Sequence, residues 1–307
     1  MDKDPRRIDA GLPIPFDDYL YGLDWIKRPD MIWPDNDVQS ERTQKLLRVK
    51  HDNASTYWRD MCEILEHDFN TLPLEQFKHW ASIRSIPLLC EKAFKDFIGI
   101  VKECVNEHPA YKTALYDPLI GCSKELYENG LKVFSDFQTS MNKVCAIAHL
   151  RQGEYNPELL ANVESIVELG GGIGDMANVV YDLGFKGTYT IYDFDVVGKI
   201  QKWYNEASGH PGIRYVSKVE DLKPAQLCIS TFGFTEMPFD LREKILNKLG
   251  TDGDWLLAYS QHLLGLDNAA YIKDVFLPKF KRHFVRKLDI PCMNWDGGSR
   301  HLYCKAL

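Results

Sequence analysis

A chain of 307 residues with 45% apolar and 26% charged residues has the composition of an ordinary globular protein, long enough for one large domain or two smaller ones. Its net charge of −7 and pI near 5.7 point away from sequence-independent nucleic-acid binding, which needs a basic face. No segment approaches the ~18 consecutive apolar residues that span a bilayer, and Met1-Asp2-Lys3-Asp4-Pro5 has no apolar stretch behind it.

The expectation is therefore a cytoplasmic protein with neither nucleic-acid nor membrane partners. Eight cysteines are scattered without a C-x-x-C pair, so metal spacing is absent and reduced thiols are expected.

In chain order, the first segment is rich in proline and aromatics, from Pro13 through Trp25 to Pro34, and reads as irregular. Residues 39–67 favour helix. Cys90, Phe94, Phe97, Ile98, Val101 and Val105 then recur at helical spacing, as do Phe134, Phe137, Met141, Val144 and Ala148. Residues 1–155 are thus a helical N-terminal region, joined near Gly153-Glu154-Tyr155-Asn156-Pro157 to a second unit over 156–307.

That second unit alternates. Strands are predicted over 165–169, 188–192, 213–216, 227–231 and 255–259, with helices over 176–183, 197–206 and 240–249. Gly184 and Gly250 supply helix stops. Strands alternating with short helices imply βαβ units and a parallel sheet. Residues 283–290 and 301–306 are joined through Asp296-Gly297-Gly298 with no room for a crossover helix, so they must pair antiparallel.

The first strand leads into Glu168-Leu169-Gly170-Gly171-Gly172-Ile173-Gly174-Asp175. A glycine loop between strand and helix lets backbone lie against a ligand, with free amides at the helix start to hold an anion. A dinucleotide fingerprint counted from Gly170 puts Asp175 where a tiny residue is needed. Asp193 follows the second strand, placed to accept hydrogen bonds from a ribose, a feature shared by NAD and S-adenosylmethionine. Phe194 beside it can pack on an adenine.

Glu168 with Gly170, Gly172 and Gly174 gives E-x-G-x-G-x-G, which resembles the first motif of the class I S-adenosylmethionine-dependent methyltransferases. Within them the chain is similar to the sugar O-methyltransferase family. The likeness rests on the E-x-G-G-G-x-G loop including Gly171, on Asp193 followed by Gln201 and Tyr204, and on Thr231-Phe232-Gly233-Phe234-Thr235-Glu236-Met237. It covers roughly the second half of the chain. Asp193-Phe194-Asp195 departs from the Asp-Leu-Pro usual there. The resemblance implies a Rossmann-like, mostly parallel α/β sheet with an antiparallel C-terminal hairpin and S-adenosylmethionine as cofactor. Glu168, Gly170, Gly171, Gly172, Gly174, Asp193, Phe194, Ser217 and Thr231 would hold it. The implied reaction is methyl transfer to a hydroxyl of a sugar or sugar-bearing small molecule, with the N-terminal region selecting the acceptor.

A hydroxyl nucleophile is helped by a positioned base. Glu236 after the fourth strand and His262 after the fifth are the candidates, with Asp267 and Asn268 in the same region. Asp193, Asp195 and Asp267 offer hard oxygen ligands without a metal spacing, so no metal is expected. Trp58, Trp80 and Tyr127 are available as sugar platforms, though an aromatic at any one of these positions is more often a core residue. Three rivals stand beside this expectation: an NAD-dependent oxidoreductase, a methyltransferase acting on protein, lipid or nucleic acid, and a non-catalytic binding protein that kept the fold.

Overall fold

The computed structural model describes residues 54–84, 91–115, 120–121, 132–263, 265–290 and 298–307. Among the described residues of the first half, three long helices stand out: α1 (Ala54–Thr71), α2 (Glu91–Glu107) and α3 (Lys132–Gln152). The prolines and aromatics of 1–38, and Tyr127, fall outside the described residues.

The second half builds a seven-stranded sheet. Its strands are β1 (Ser165–Leu169), β2 (Thr188–Tyr192), β3 (Arg214–Val216), β4 (Leu227–Thr231), β5 (Asp254–Ser260), β6 (His283–Ile290) and β7 (Ser299–Ala306). Between them run α4 (Asp175–Asp182), α5 (Asp195–Ala207), the one-turn α6 (Gly233–Glu236) and α7 (Phe239–Leu249). The order across the sheet is β3-β2-β1-β4-β5-β7-β6. The first five strands are parallel, while β7 pairs antiparallel with both β5 and β6. This is the Rossmann-like sheet with an antiparallel C-terminal hairpin expected from the sequence. The third strand begins at Arg214 rather than 213, and β7 begins at Ser299 rather than 301.

Central parallel strands are covered on both faces, so their sequences are near-continuous apolar runs. Ile166, Ile191, Ile229, Leu256 and Tyr303 face one side and meet Val101 of α2 with Ile147 and Leu150 of α3. Val167, Cys228 and Leu257 face the other and meet Ile245 and Leu246 of α7 and the later Ile272 and Phe276. A third cluster seats Met61 and Leu65 of α1 on Val197 and Ile200 of α5. The N-terminal helices therefore cover one sheet face and the outer side of α5, above the carboxyl ends of the strands. Cys62, Cys104, Cys145, Cys228 and Cys304 are thiols.

Candidate active site

Strand order reverses between β1 and β4, so the loops after these two strands open a crevice, the usual ligand position in an open α/β sheet. Here the loops touch. A Cβ on Gly170 (φ +77°) would meet Gly233 Cα at 2.8 Å, and one on Gly233 would meet the Leu169 carbonyl oxygen at 2.6 Å. Buried Ser230 clamps the pair: its hydroxyl donates to the Leu169 carbonyl (2.7 Å) and accepts from the Phe234 amide (2.8 Å). Phe232, just before Gly233, takes a positive φ of 73°.

A cavity of about 1060 Å³ extends from this switch point, roofed by Trp58 and Cys62 of α1 and by Asn142, Ala146 and His149 of α3. Of the sequence-nominated cofactor residues, Glu168, Gly170, Gly171, Gly172, Asp193, Phe194, Ser217 and Thr231 all line it. Gly174 sits one step back, at φ +102° against the Asn205 side chain, and starts α4.

Asp193 closes the glycine loop. Its Oδ2 accepts from the Gly171 amide (2.9 Å) and Gln201 Nε2 (2.8 Å), and its Oδ1 from the Phe194 amide (2.8 Å). Gln201 also donates to the Gly172 carbonyl at 2.9 Å, which accounts for its place in the motif. Burial lifts Asp193 to about 6, with these three donors pulling the other way. Glu168 is only 1% exposed. Burial raises it to about 8 although the Tyr189 hydroxyl donates to it at 2.9 Å, and Asp193 and Asp175 push it further up. Asp175, too large for a dinucleotide loop, is a buried brace: it accepts from Asn142 of α3 (2.7 Å) and from Tyr204 of α5 (3.0 Å).

Glu236 lines the cavity and accepts from Trp58 Nε1 at 2.8 Å. Burial lifts it to about 7, opposed by Trp58 and reinforced by Asp193. Its loop is held from behind by buried Arg242, which donates to the carbonyls of Met237 and Thr235 and lies 4.8 Å over the rings of Phe239 and Tyr271.

His262 goes elsewhere. β5 runs into a small hairpin, His262–Leu263 with Leu266–Asp267, that turns the His262 ring outward, 47% exposed and 3.6 Å from Asp267. Leu263, not His262, lines the cavity. Asp267 caps the next helical turn through the Ala270 amide, and buried Asn268 donates to the Ser260 carbonyl. Asp195 pairs with Lys199 at 2.9 Å. Among the described residues no three acidic, histidine or cysteine side chains converge as a metal site. Trp80 is a core residue, fully buried against Phe77, while Trp58 faces the cavity, stacked on Phe194 at 6.1 Å.

Sequence reasoning missed His149 and His301, which meet in the cavity wall with ring centroids 4.8 Å apart. The one available signal was a histidine next to the apolar stripe of the helix over 134–148.

No protein-family model and no curated protein matches the chain. Among solved structures it is similar to an rRNA methylase from Streptococcus thermophilus, at 14% identity and TM-score 0.40 over 51% of this chain and 95% of that one. It is also similar to the mitomycin 7-O-methyltransferase MmcR, at 12% identity and TM-score 0.39 over 86% and 90%. A third is a precorrin-6y C5,15-methyltransferase from Geobacter metallireducens, at 9% identity and TM-score 0.40 over 55% and 89%.

Proposed function

We propose that this protein transfers a methyl group from S-adenosylmethionine to a hydroxyl oxygen of a small molecule held in the cavity; a sugar or sugar-bearing metabolite is the acceptor the sequence resemblance implies. The carrying observation is the charge of the wall. Glu63, Glu66, Glu168, Asp175, Asp193 and Glu236 line the cavity, against Arg59 as its one lysine or arginine among the described residues. Three of those carboxyls, Glu168, Asp193 and Glu236, are held well above their ordinary range, largely by burial. Buried acids that resist ionising are matched by a cationic ligand, which offsets their mutual repulsion. S-adenosylmethionine brings a sulfonium and an ammonium. NAD brings an anionic pyrophosphate, which this wall repels.

Within that site Asp193 and Phe194 would hold the ribose and adenine with Ser217 beside them, and the Gly172 and Ile173 amides, unlike those of Gly170, Gly171 and Gly174, would be open to the methionine carboxylate. In the transfer, a lone pair of the acceptor oxygen forms the new O–CH₃ bond. The S–CH₃ bond breaks with its electrons left on sulfur, and the hydroxyl proton passes to Glu236. Holding donor and acceptor in line supplies roughly 7–11 kcal/mol of the barrier. A thermal-shift titration tests the cofactor: S-adenosylhomocysteine raises the melting temperature and NAD does not. Stabilisation by NAD with none by S-adenosylhomocysteine would overturn the proposal.

A further inference from the structure

The cavity changes character along its length. Asp193 directly follows β2 and His301 lies on β7, four strand spacings away, or roughly 19 Å at ~4.8 Å each. The β2–β1 end carries the carboxylates and the glycine loop. The β5–β7 end is walled by Phe97, Ala146, Phe232 and Ala258, with Thr231, His149, Ser260 and His301 as polar side chains near it.

The two histidines come from different layers. His149 is in the last turn of α3, and His301 sits opposite Ala258 in the β5–β7 ladder. Their rings meet edge to face at 73°, and His301 stacks on Phe97 at 5.9 Å and 17°. Burial holds both imidazoles neutral, lowering His149 to about 4 and, with His149 beside it, His301 well below the usual range. Both ring nitrogens of His149 are sealed from solvent, and a backbone bond at Leu256 opposes the effect of burial. His301 lines the cavity and its ring nitrogens are not among the sealed ones, so it is the imidazole that can bond a ligand there. Ser260 is already engaged with Ser299.

We infer that the β5–β7 end receives the acceptor as a planar hydroxylated aromatic ring, laid against Phe97 and Phe232, with a polar ring substituent hydrogen-bonded to His301, which His149 backs from behind. A sugar carries hydroxyls around its whole rim, and each one buried here without a partner loses binding. A phenol-like ring needs one or two such bonds and otherwise gains from apolar contact. The ring's role as methyl acceptor rests on the methyl-transfer proposal above; the ring site itself rests on the cavity wall.

The test uses 4-nitrophenol and methyl glucoside as probes, titrated calorimetrically into the protein saturated with S-adenosylhomocysteine and into the free protein. The expected result is binding of 4-nitrophenol and not of methyl glucoside. His301→Phe weakens the phenol by about tenfold, and His301→Gln, which keeps a hydrogen-bonding group, recovers part of the loss. If His301→Phe does not fold, Ala146→Leu, which fills the ring slot, is expected to abolish phenol binding and leave stabilisation by S-adenosylhomocysteine intact. Tighter binding of the glucoside, no binding of the phenol, or phenol affinity unchanged in whichever variant folds would each overturn the inference. Absence of S-adenosylhomocysteine binding to the wild type would defeat the methyl-transfer proposal instead, and the phenol result on free protein would still decide the ring site.

Discussion

Trp58 Nε1 donates to Glu236 Oε2 at 2.8 Å across 178 positions of sequence, so the N-terminal helix α1 and the loop after β4 close over the cavity together. The bond favours the ionised carboxylate and restrains the rise that burial imposes on Glu236. Trp58→Phe removes the donor and keeps an aromatic ring. Glu236 then titrates above about 7, and the acidic limb of the pH–rate profile moves to higher pH. A limb that stays in place would show that Glu236 does not govern it.

Glu236 and His262 give contrasting expectations. Glu236→Gln keeps the shape and removes the base, so kcat falls by about 10²–10⁴-fold while S-adenosylhomocysteine still binds. His262→Ala, at an exposed hairpin outside the cavity wall, leaves kcat near the wild-type value. The reverse pattern in steady-state kinetics would return the base to the histidine.

The raised carboxyls couple stability and binding to pH. Glu168, Asp193 and Glu236 titrate in the folded protein at about 8, 6 and 7, above their ordinary values of 4.5, 3.8 and 4.5. Their protonated forms favour the folded state. Their contribution to ligand-free stability is therefore fully present below about pH 4 and is lost as pH rises to about 8. A bound cation favours the ionised forms, so S-adenosylmethionine binding releases protons and tightens over the upper part of that window. Calorimetry in two buffers of different ionisation enthalpy reads the proton release directly; proton uptake would contradict the assignment. Glu168→Gln flattens the decline in ligand-free stability.

Much of this arrangement was legible beforehand, for physical reasons. β1, β2 and β4 are buried on both faces and read as apolar runs with the observed ends, and the glycine spacing announced a backbone that must approach something closely. Asp175 stood out only as an obstacle to dinucleotide binding. Its partners Asn142 and Tyr204 lie 33 and 29 positions away, and only tertiary packing brings them to it. The Trp58–Glu236 and His149–His301 contacts were hidden for the same reason. His262 follows β5 as expected, but the two-residue strands beyond β5 reverse the chain and turn its ring away from the cavity, a local event the sequence did not signal.

Two glycines separate packing from ligand contact. Gly233→Ala drives a Cβ into the Leu169 carbonyl and the Gly170 backbone at 2.6 and 2.7 Å, where nothing flexible can yield. It destabilises the fold by about 1–3 kcal/mol in urea denaturation. Gly172→Ala meets no atom within 4 Å and pays only for its φ of +55°, about 1 kcal/mol. Its added methyl projects where the cofactor is proposed to lie, so affinity for S-adenosylhomocysteine falls by about tenfold, or ~1.4 kcal/mol. Unchanged affinity would move the cofactor off the loop.

A crystal structure with S-adenosylhomocysteine bound is the most direct measurement of all. It is expected to show the ribose hydroxyls on Asp193, the carboxylate of the ligand at the glycine-loop amides, and the thioether sulfur facing the part of the cavity between Glu236 and His301. A ligand seated outside this cavity, or a ribose that does not touch Asp193, would contradict the assignment of this site to methyl transfer.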